Sequence, residues 1–459
     1  MIKSWIKGAK MERIKRKTSI DMTEGKFLSK ILKFALPLMA TGILQLLFNA
    51  ADLIVVGQFD KNKDLGVAAI GSTSSLIHLI LNLFLGLSAG AGVMMARAFG
   101  AKDKTYGEKV LHTSMIVSVI GGALITAGGG ALSRTMLGWM NTPKECLELA
   151  NQYLFIYFMG SIFNMVYNFG ASMLRSTGDT VRPLIFLTFG GIINVIINLF
   201  AVLVLKLGVV GVVIATVTSQ AFSAVCVVIV LMKKSEFVTL RLKHLKVDGK
   251  TLFELLRLGI PQGLQGMMFS LSNVIIQSTV NGFGKEVMAG NAAAANLEGF
   301  AYIVFNAVSC TAITGASQNY GAKKYERIKK VVGVCALVSI VSCVVTCGAL
   351  IVFHKGLLSL YTDKIAYGYN RLKIIAGTYA LCALMEILNG ALRGINYSLI
   401  PTVNTLIGTC VFRVFWVYVI FPLNPTTTTL YLSYPISWIL TASVALILFL
   451  AGMKKLLRR

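Results

Sequence analysis

Twelve apolar stretches of twenty or more residues recur along the 459-residue chain, and they leave it few possible folds. Crossing a hydrocarbon core of roughly 30 Å takes about 20 residues of helix. An unpaired backbone group inside that core costs several kcal/mol, so spanning segments are helices or closed barrels. The stretches run near residues 34–57, 66–95, 110–132, 149–173, 183–205 and 208–232, then 252–281, 287–318, 331–353, 369–391, 400–421 and 430–452. Charged residues make up only 14% of the chain, against about a quarter in soluble domains. Mean hydropathy is +0.73. The expectation is an all-α integral membrane protein of twelve transmembrane helices, with the second, seventh and eighth spans long enough to tilt or project.

A formal net charge of +25 raises nucleic acid as a partner, so the distribution of charge matters. With the N-terminus inside, and residues near a span's end counted with the adjoining side, 33 of the 44 Lys and Arg fall in cytoplasmic segments, 10 in external ones and one well within a span. That is the positive-inside bias, and it orients both termini to the cytoplasm of a multi-pass protein in a bacterial cytoplasmic membrane. The basic arm at residues 1–33, the linker at 233–251 and the tail at 454–459 then face anionic membrane lipids. Nucleic acid is excluded as a partner on this ground. No apolar core with a cleavage site precedes the first span, so no removable signal is expected. Seven of the eight cysteines fall inside spans, leaving Cys146 in an external loop, and no disulfide framework or metal spacing results.

The chain repeats itself. Pro37, Gly42 and Asn49 match Pro261, Gly266 and Asn273 at an offset of 224; Arg97 to Lys102 matches Gln318 to Lys323 at 221; Leu174, Arg175 and Pro183 match Leu392, Arg393 and Pro401 at 218. Six spans per repeat is an even number, so the two bundles are related by pseudo-twofold symmetry about an axis along the membrane normal. The organisation expected is a six-helix lobe at 34–232, a linker at 233–251 and a second lobe at 252–453. The cleft between the lobes is the expected substrate path.

The segments PLMATGILQLLFNAADLIVVGQF, LRSTGDTVRPL, GVVGVVIATVTSQ, YGAKK and LRGINYSLIPT resemble the multidrug and toxic compound extrusion family, MATE, and within it the DinF-like bacterial group. The resemblance runs from about residue 31 to residue 452. It implies a V-shaped pair of lobes, acting as a monomer, that exports small organic cations or drugs in exchange for protons or sodium ions. No other cofactor is implied.

Asp52, Glu298 and Glu386 are the acids lying more than a turn inside the spans. Each costs roughly 2.5–3.5 kcal/mol at mid-membrane on insertion scales, so each is a functional candidate. Asp52 shares a helical face with Asn49 and Gln45, and Asn194 and Asn198 share another. The resemblance joins Asp52 and Asn49 to Asn194, Asn198 and Thr216 as the ion-coupling group. Some relatives carry an Asp where this chain has Asn198, which leaves the coupling ion open. A carboxylate binds its proton more tightly when dry than when wet, so a site alternately dry and wet can carry protons. A structural hydrogen-bonding role for Asp52 is the alternative.

In the second lobe, Glu298 and Arg413 fall at similar depth and could pair, while a cation or substrate role for Glu298 also stands. Many relatives carry a Glu on the seventh helix and an acid on the tenth. Here the seventh has Ser270, Asn273, Gln277 and Asn281, and the tenth has Glu386. His78, mid-span, could titrate near neutral pH, though it reads more readily as a buried, satisfied histidine. Substrate-lining candidates are Gln45, Phe48, Met39, Asn273, Gln277, Met267 and Met268, as adaptable or aromatic side chains. The glycines at 86–92 and the alanines at 292–295 read as close helix contacts. A lipid-linked precursor flippase is the nearest rival, but pyrophosphate asks for several intramembrane basic residues and Arg413 alone qualifies. No enzyme motif or metal-ligand cluster is present in the sequence.

Overall fold

A computed structural model describes residues 19–59, 63–140, 142–233 and 237–458. Most of the basic arm, part of the 233–251 linker and Arg459 therefore lie outside the described residues. The helices are α1 (Phe27–Phe59), α2 (Lys63–Ala101), α3 (Lys104–Trp139), α4 (Lys144–Met159), α5 (Ser161–Ser176), α6 (Val181–Val204) and α7 (Gly208–Lys233). They continue as α8 (Gly249–Asn281), α9 (Lys285–Gly321), α10 (Tyr325–Val352), α11 (Ile365–Gly394), α12 (Leu399–Leu423) and α13 (Thr427–Leu457). Ten of these are long and apolar enough to span, and α4 with α5 forms an eleventh span bent by 48°. The bend falls at Gly160, where a Cβ would stand 2.5 Å from Val217.

The twelfth span is α8. At 33 residues it is long enough to cross but is less apolar than the others, because Gln262, Gln265, Ser270, Asn273 and Gln277 along it line a cavity. Asp248 caps its start, accepting from the Thr251 backbone N–H at 3.0 Å and hydroxyl at 2.7 Å. With Lys109 alongside, those bonds pull the pKa of the half-buried Asp248 carboxyl down to about 2. Cys146 departs from expectation: it is buried in the first turn of α4 rather than loop-borne. His78 is exposed rather than buried.

Within the first half α2, α3, α5, α6 and α7 pack on one another, with α1 against α6; in the second, α9, α10, α11 and α13 do so. The halves meet where α2 crosses α8 and where α9 packs on α1 and α2. At the α2–α8 crossing, Gly86 and Gly90 face Gly263 and Gly259 so closely that a Cβ on Gly86 would stand 2.2 Å from the Gly263 nitrogen. Small residues four apart allow such backbone contact, as the glycine run predicts. Ala293 and Ala294 likewise pack into a buried cluster with Leu358 and Leu372.

At the end of the bundle carrying both described termini, here the terminal face, the repeat motifs bind each other. Arg97 on α2 donates through Nε to Gly394 O at 3.3 Å and through Nη2 to Arg393 O at 3.0 Å, at the end of α11. Its Nη1 reaches Asn396 Oδ1 at 3.0 Å. Gln318, which matches Arg97 in the other repeat, donates to Ser176 O at 3.0 Å at the end of α5. Ser176 in turn matches Gly394, so the two clasps are reciprocal. Backbone conformation repeats as well: Lys102 and Lys323 share φ of 57°, and Gly178 and Asn396 have φ of 95° and 81°.

The shorter Gln318 leaves a gap that residues 20–23 fill. Met22 N–H donates to Gln318 Oε1 at 2.9 Å, Asn319 donates to Met22 O at 3.2 Å, and Ile20 N–H donates to Gly178 O at 3.2 Å. The segment before α1 thus ties the two halves together.

Candidate functional site

Two polar groups built around charged residues stand out within the described spans. The first gathers on Asp52. Asn198, buried on α6 just before that helix widens into a π-turn at Phe200–Val204, donates to Asp52 Oδ1 at 2.5 Å. Thr216 on α7 places its hydroxyl 3.4 Å from Oδ2 and 3.0 Å from Val212 O. Asn194, one turn before Asn198, has its amide oriented by its neighbours. Turned so that donor meets acceptor, it donates to Asp52 Oδ1 at 3.0 Å and accepts from the Thr216 backbone N–H at 3.2 Å.

No Lys or Arg among the described residues pairs with this carboxylate. Its charge is balanced by amide and hydroxyl dipoles, and the Asn198 carbonyl oxygen beside it is buried without a donor. A buried acceptor left unsatisfied is costly, so a proton or a small cation entering here gains ligands already in place. Asn49 and Gln45 stand outside the group, exposed on α1. Tyr153, which sequence reasoning missed, is buried in the core cluster that holds Val55 and Val56, one turn beyond Asp52 on α1.

The second group lines a cavity of about 780 Å³ walled mainly by α8, α9, α11, α12 and α13, with Asn82, Leu85, Gly86 and Ala89 of α2 on the remaining side. Asn273, Gln277, Glu298, Glu386 and Arg413 all line it, whereas Met39, Phe48, Met267, Met268 and Gln45 do not. Met39 packs against the core of the second half. Phe48 presses its ring onto Gly191 of α6, where a Cβ would stand 1.9 Å away.

The pairing expected for Glu298 is corrected. Its partner is Arg371, which donates through Nε to Oε1 at 3.0 Å and through Nη2 to Oε2 at 2.7 Å. Arg371 also donates to Asn291 Oδ1 at 2.8 Å, and Tyr431 donates to the same oxygen at 3.1 Å. Counting residues along a helix gives height in the membrane but not direction around the axis, and it is direction that excludes Arg413. The chain signal for Arg371 was weak, because it sits two residues into its apolar stretch and looks external. The uncompensated charge of Glu298 was the better clue, since a buried carboxylate needs a partner.

Arg413 lies in a four-residue α-helical segment between π-turns at Leu406–Val411 and Trp416–Ile420. Such π-turns cluster at functional positions. Its Nε donates to Ser437 at 3.2 Å and its Nη1 to Asn273 at 3.4 Å. Arg393 also lines the cavity and donates to Gln265 at 2.6 Å.

The matched MatE family model covers residues 37–200 and 261–419. The chain is 29% identical over 398 residues to the probable multidrug resistance protein YpnP of Bacillus subtilis, covering 86% of this chain and 88% of that one. It is 26% identical to the probable multidrug resistance protein NorM of Thermotoga maritima, over 82% of each. Among solved structures, an outward-facing multidrug resistance MATE family transporter of the MOP superfamily superposes with a TM-score of 0.88 at 21% identity, covering 96% of this chain and 99% of that one.

Proposed function

Because the chain belongs to the MatE family, we propose that it is a secondary active antiporter that exports small organic molecules, organic cations among them, as protons or sodium ions enter through Asp52. The observation that carries this reading is the Asp52 group: a carboxylate inside a span, bound by Asn198, Asn194 and Thr216 and paired with no cation among the described residues. A structural carboxylate at that depth gains most from a basic partner, and this one has only groups able to exchange a proton or ligate an ion.

The reading places both termini in the cytoplasm of a bacterial cell membrane, so the two clasps close the cytoplasmic face. Export then proceeds by alternating access. Ion entry at Asp52 releases the bound molecule outward, and the clasps part when the lobes rock to reload. Glu386, half-buried in the cavity wall, with Tyr302, Tyr379 and Trp438 nearby, supplies charge and aromatic faces suited to an organic cation.

Relatives named as multidrug resistance and multidrug export proteins favour this over a lipid-linked precursor flippase. The sequence argument against a flippase counted one intramembrane arginine. The cavity wall holds three, but Glu298 engages Arg371 and Gln265 engages Arg393.

The test is dye accumulation in proteoliposomes under an imposed proton or sodium gradient. Asp52→Asn keeps the shape and removes the titration, so gradient-driven uptake is expected to vanish while yield and detergent stability hold. Uptake persisting near the wild-type rate would refute the assignment.

A further inference from the structure

The charges around the cavity do not balance. Among the described residues its wall carries Glu298 and Glu386 against Arg371, Arg393 and Arg413. Arg371 is neutralised by the bidentate pair with Glu298. Arg393 lies two turns beyond Glu386 along α11 without an ion pair to it; its Nη2 donates to Gln265 at 2.6 Å and its buried Nε has no partner. Arg413 has no carboxylate. Its side chain is buried, with 1% of the residue exposed. Two neutral oxygens take its Nε and Nη1, and its Nη2 has no partner. The rings of Tyr434, Phe269 and Trp438 surround the guanidinium, their centroids 4.1, 5.3 and 5.9 Å from its central carbon.

Ring faces stabilise the cation without satisfying its N–H groups. Burying an unpaired charge is costly, and a planar guanidinium is built to bind a carboxylate through two parallel hydrogen bonds. The same rings offer flat apolar surface beside that fork, and Glu386 stands elsewhere on the wall.

Building on the antiporter reading, we propose that Arg413 is the docking point for a carboxylate on the transported molecule, so that the cavity selects carboxylate-bearing aromatic amphiphiles, zwitterions above all, over simple organic cations. The carboxylate docks on the guanidinium from the cavity side, taking over the 3.4 Å contact of Nη1 with Asn273, the aromatic body lies along Phe269, Tyr434 and Trp438, and a cationic end is balanced by Glu386.

A matched dye pair tests this: a free-acid rhodamine, which is zwitterionic, and its methyl ester, which is a cation with the carboxylate blocked. Binding to the purified full chain is read by fluorescence anisotropy, and gradient-driven uptake is read in proteoliposomes. The acid is expected to bind about tenfold or more tightly than the ester, as loss of a charge-assisted contact implies. Arg413→Gln should abolish that preference by weakening the acid alone, and Arg413→Lys should restore part of it.

Equal affinity of the wild-type protein for the two dyes overturns the proposal without need of a variant that folds. So does a preference that Arg413→Gln leaves unchanged. A preference erased by millimolar chloride or inorganic phosphate, or by anionic lipid added to the micelles, also overturns it, since the site would then hold an inorganic anion or a headgroup. Preferential binding of the acid with no gradient-driven uptake of either dye would leave the Arg413 site standing and refute the antiporter reading. Equal uptake of both dyes, undiminished in Arg413→Gln, would do the reverse.

Discussion

Replacing Arg371 by Gln should be among the most destabilising single changes available in the second half of the chain. The guanidinium makes two charge-assisted hydrogen bonds to Glu298 and a third to Asn291. Glu298 is only 2% exposed, so removal strands a carboxylate that water does not reach. Breaking one side of a buried pair costs about 3–5 kcal/mol, and Glu298→Gln should cost a similar amount by stranding the cation. The double replacement removes both charges, so its loss should fall short of the sum by about 2 kcal/mol or more. Unfolding midpoints in mixed detergent and denaturing micelles, measured for the wild type, both single variants and the double, give that coupling. Additive losses, agreeing within about 0.5 kcal/mol as for independent sites, would refute the pairing. A parallel cycle of Glu298→Gln with Arg413→Gln is expected to show little coupling.

Asn198→Asp would add a second carboxylate beside Asp52, and we expect a changed response of uptake to sodium and pH with the fold retained; superimposable profiles would remove Asn198 from the ion path. Gly86→Ala drives a methyl group into the Gly263 backbone, so a stability loss of about 1–3 kcal/mol, as for overpacked sites, should appear in the same unfolding assay, and a neutral result would show that α2 and α8 do not meet so closely. Deleting residues up to Thr23 removes the filler of the Gln318 clasp but leaves the Arg97 clasp whole. Faster amide hydrogen exchange confined to the residues around Gly178, with those around Asn396 unchanged, is the expected outcome, and equal exchange at both would count against separate clasps.

The spans were legible because each apolar run exceeds the crossing length and is bounded by charge or glycine. α8 was legible only by length, since its cavity-facing amides dilute its hydropathy. Spacing placed Asn194 and Asn198 on one face, but it was the family resemblance that joined them and Thr216 to Asp52, and Asn194, Asn198 and Thr216 do converge on the carboxylate. Asn49 met the same spacing rule and is exposed, because a shared face says nothing of what that face meets. Arg371 escaped for a related reason: at a span boundary, one turn separates a side chain in water from one reaching back into the bundle. The clasps were hard to read in chemical terms, as most of their acceptors are main-chain carbonyls that any residue carries. Their locations were nonetheless marked, since Arg97 with Gln318 and Arg393 with Arg175 are the positions at which the repeats align.

The crossing of α2 over α8 joins the halves through bare backbone. Interlocked side chains act as teeth that must disengage before two helices slide, whereas glycine against glycine is nearer to a plain bearing. Rotation of one lobe on the other about Gly86 and Gly263 would therefore meet little friction at that point. The resistance to motion sits at the rim, in a few hydrogen bonds with long leverage about the bearing. Turnover in such a machine should respond steeply to small changes at the clasps and hardly at all to smoothing of the axle, so adaptation of its speed has the perimeter to work on.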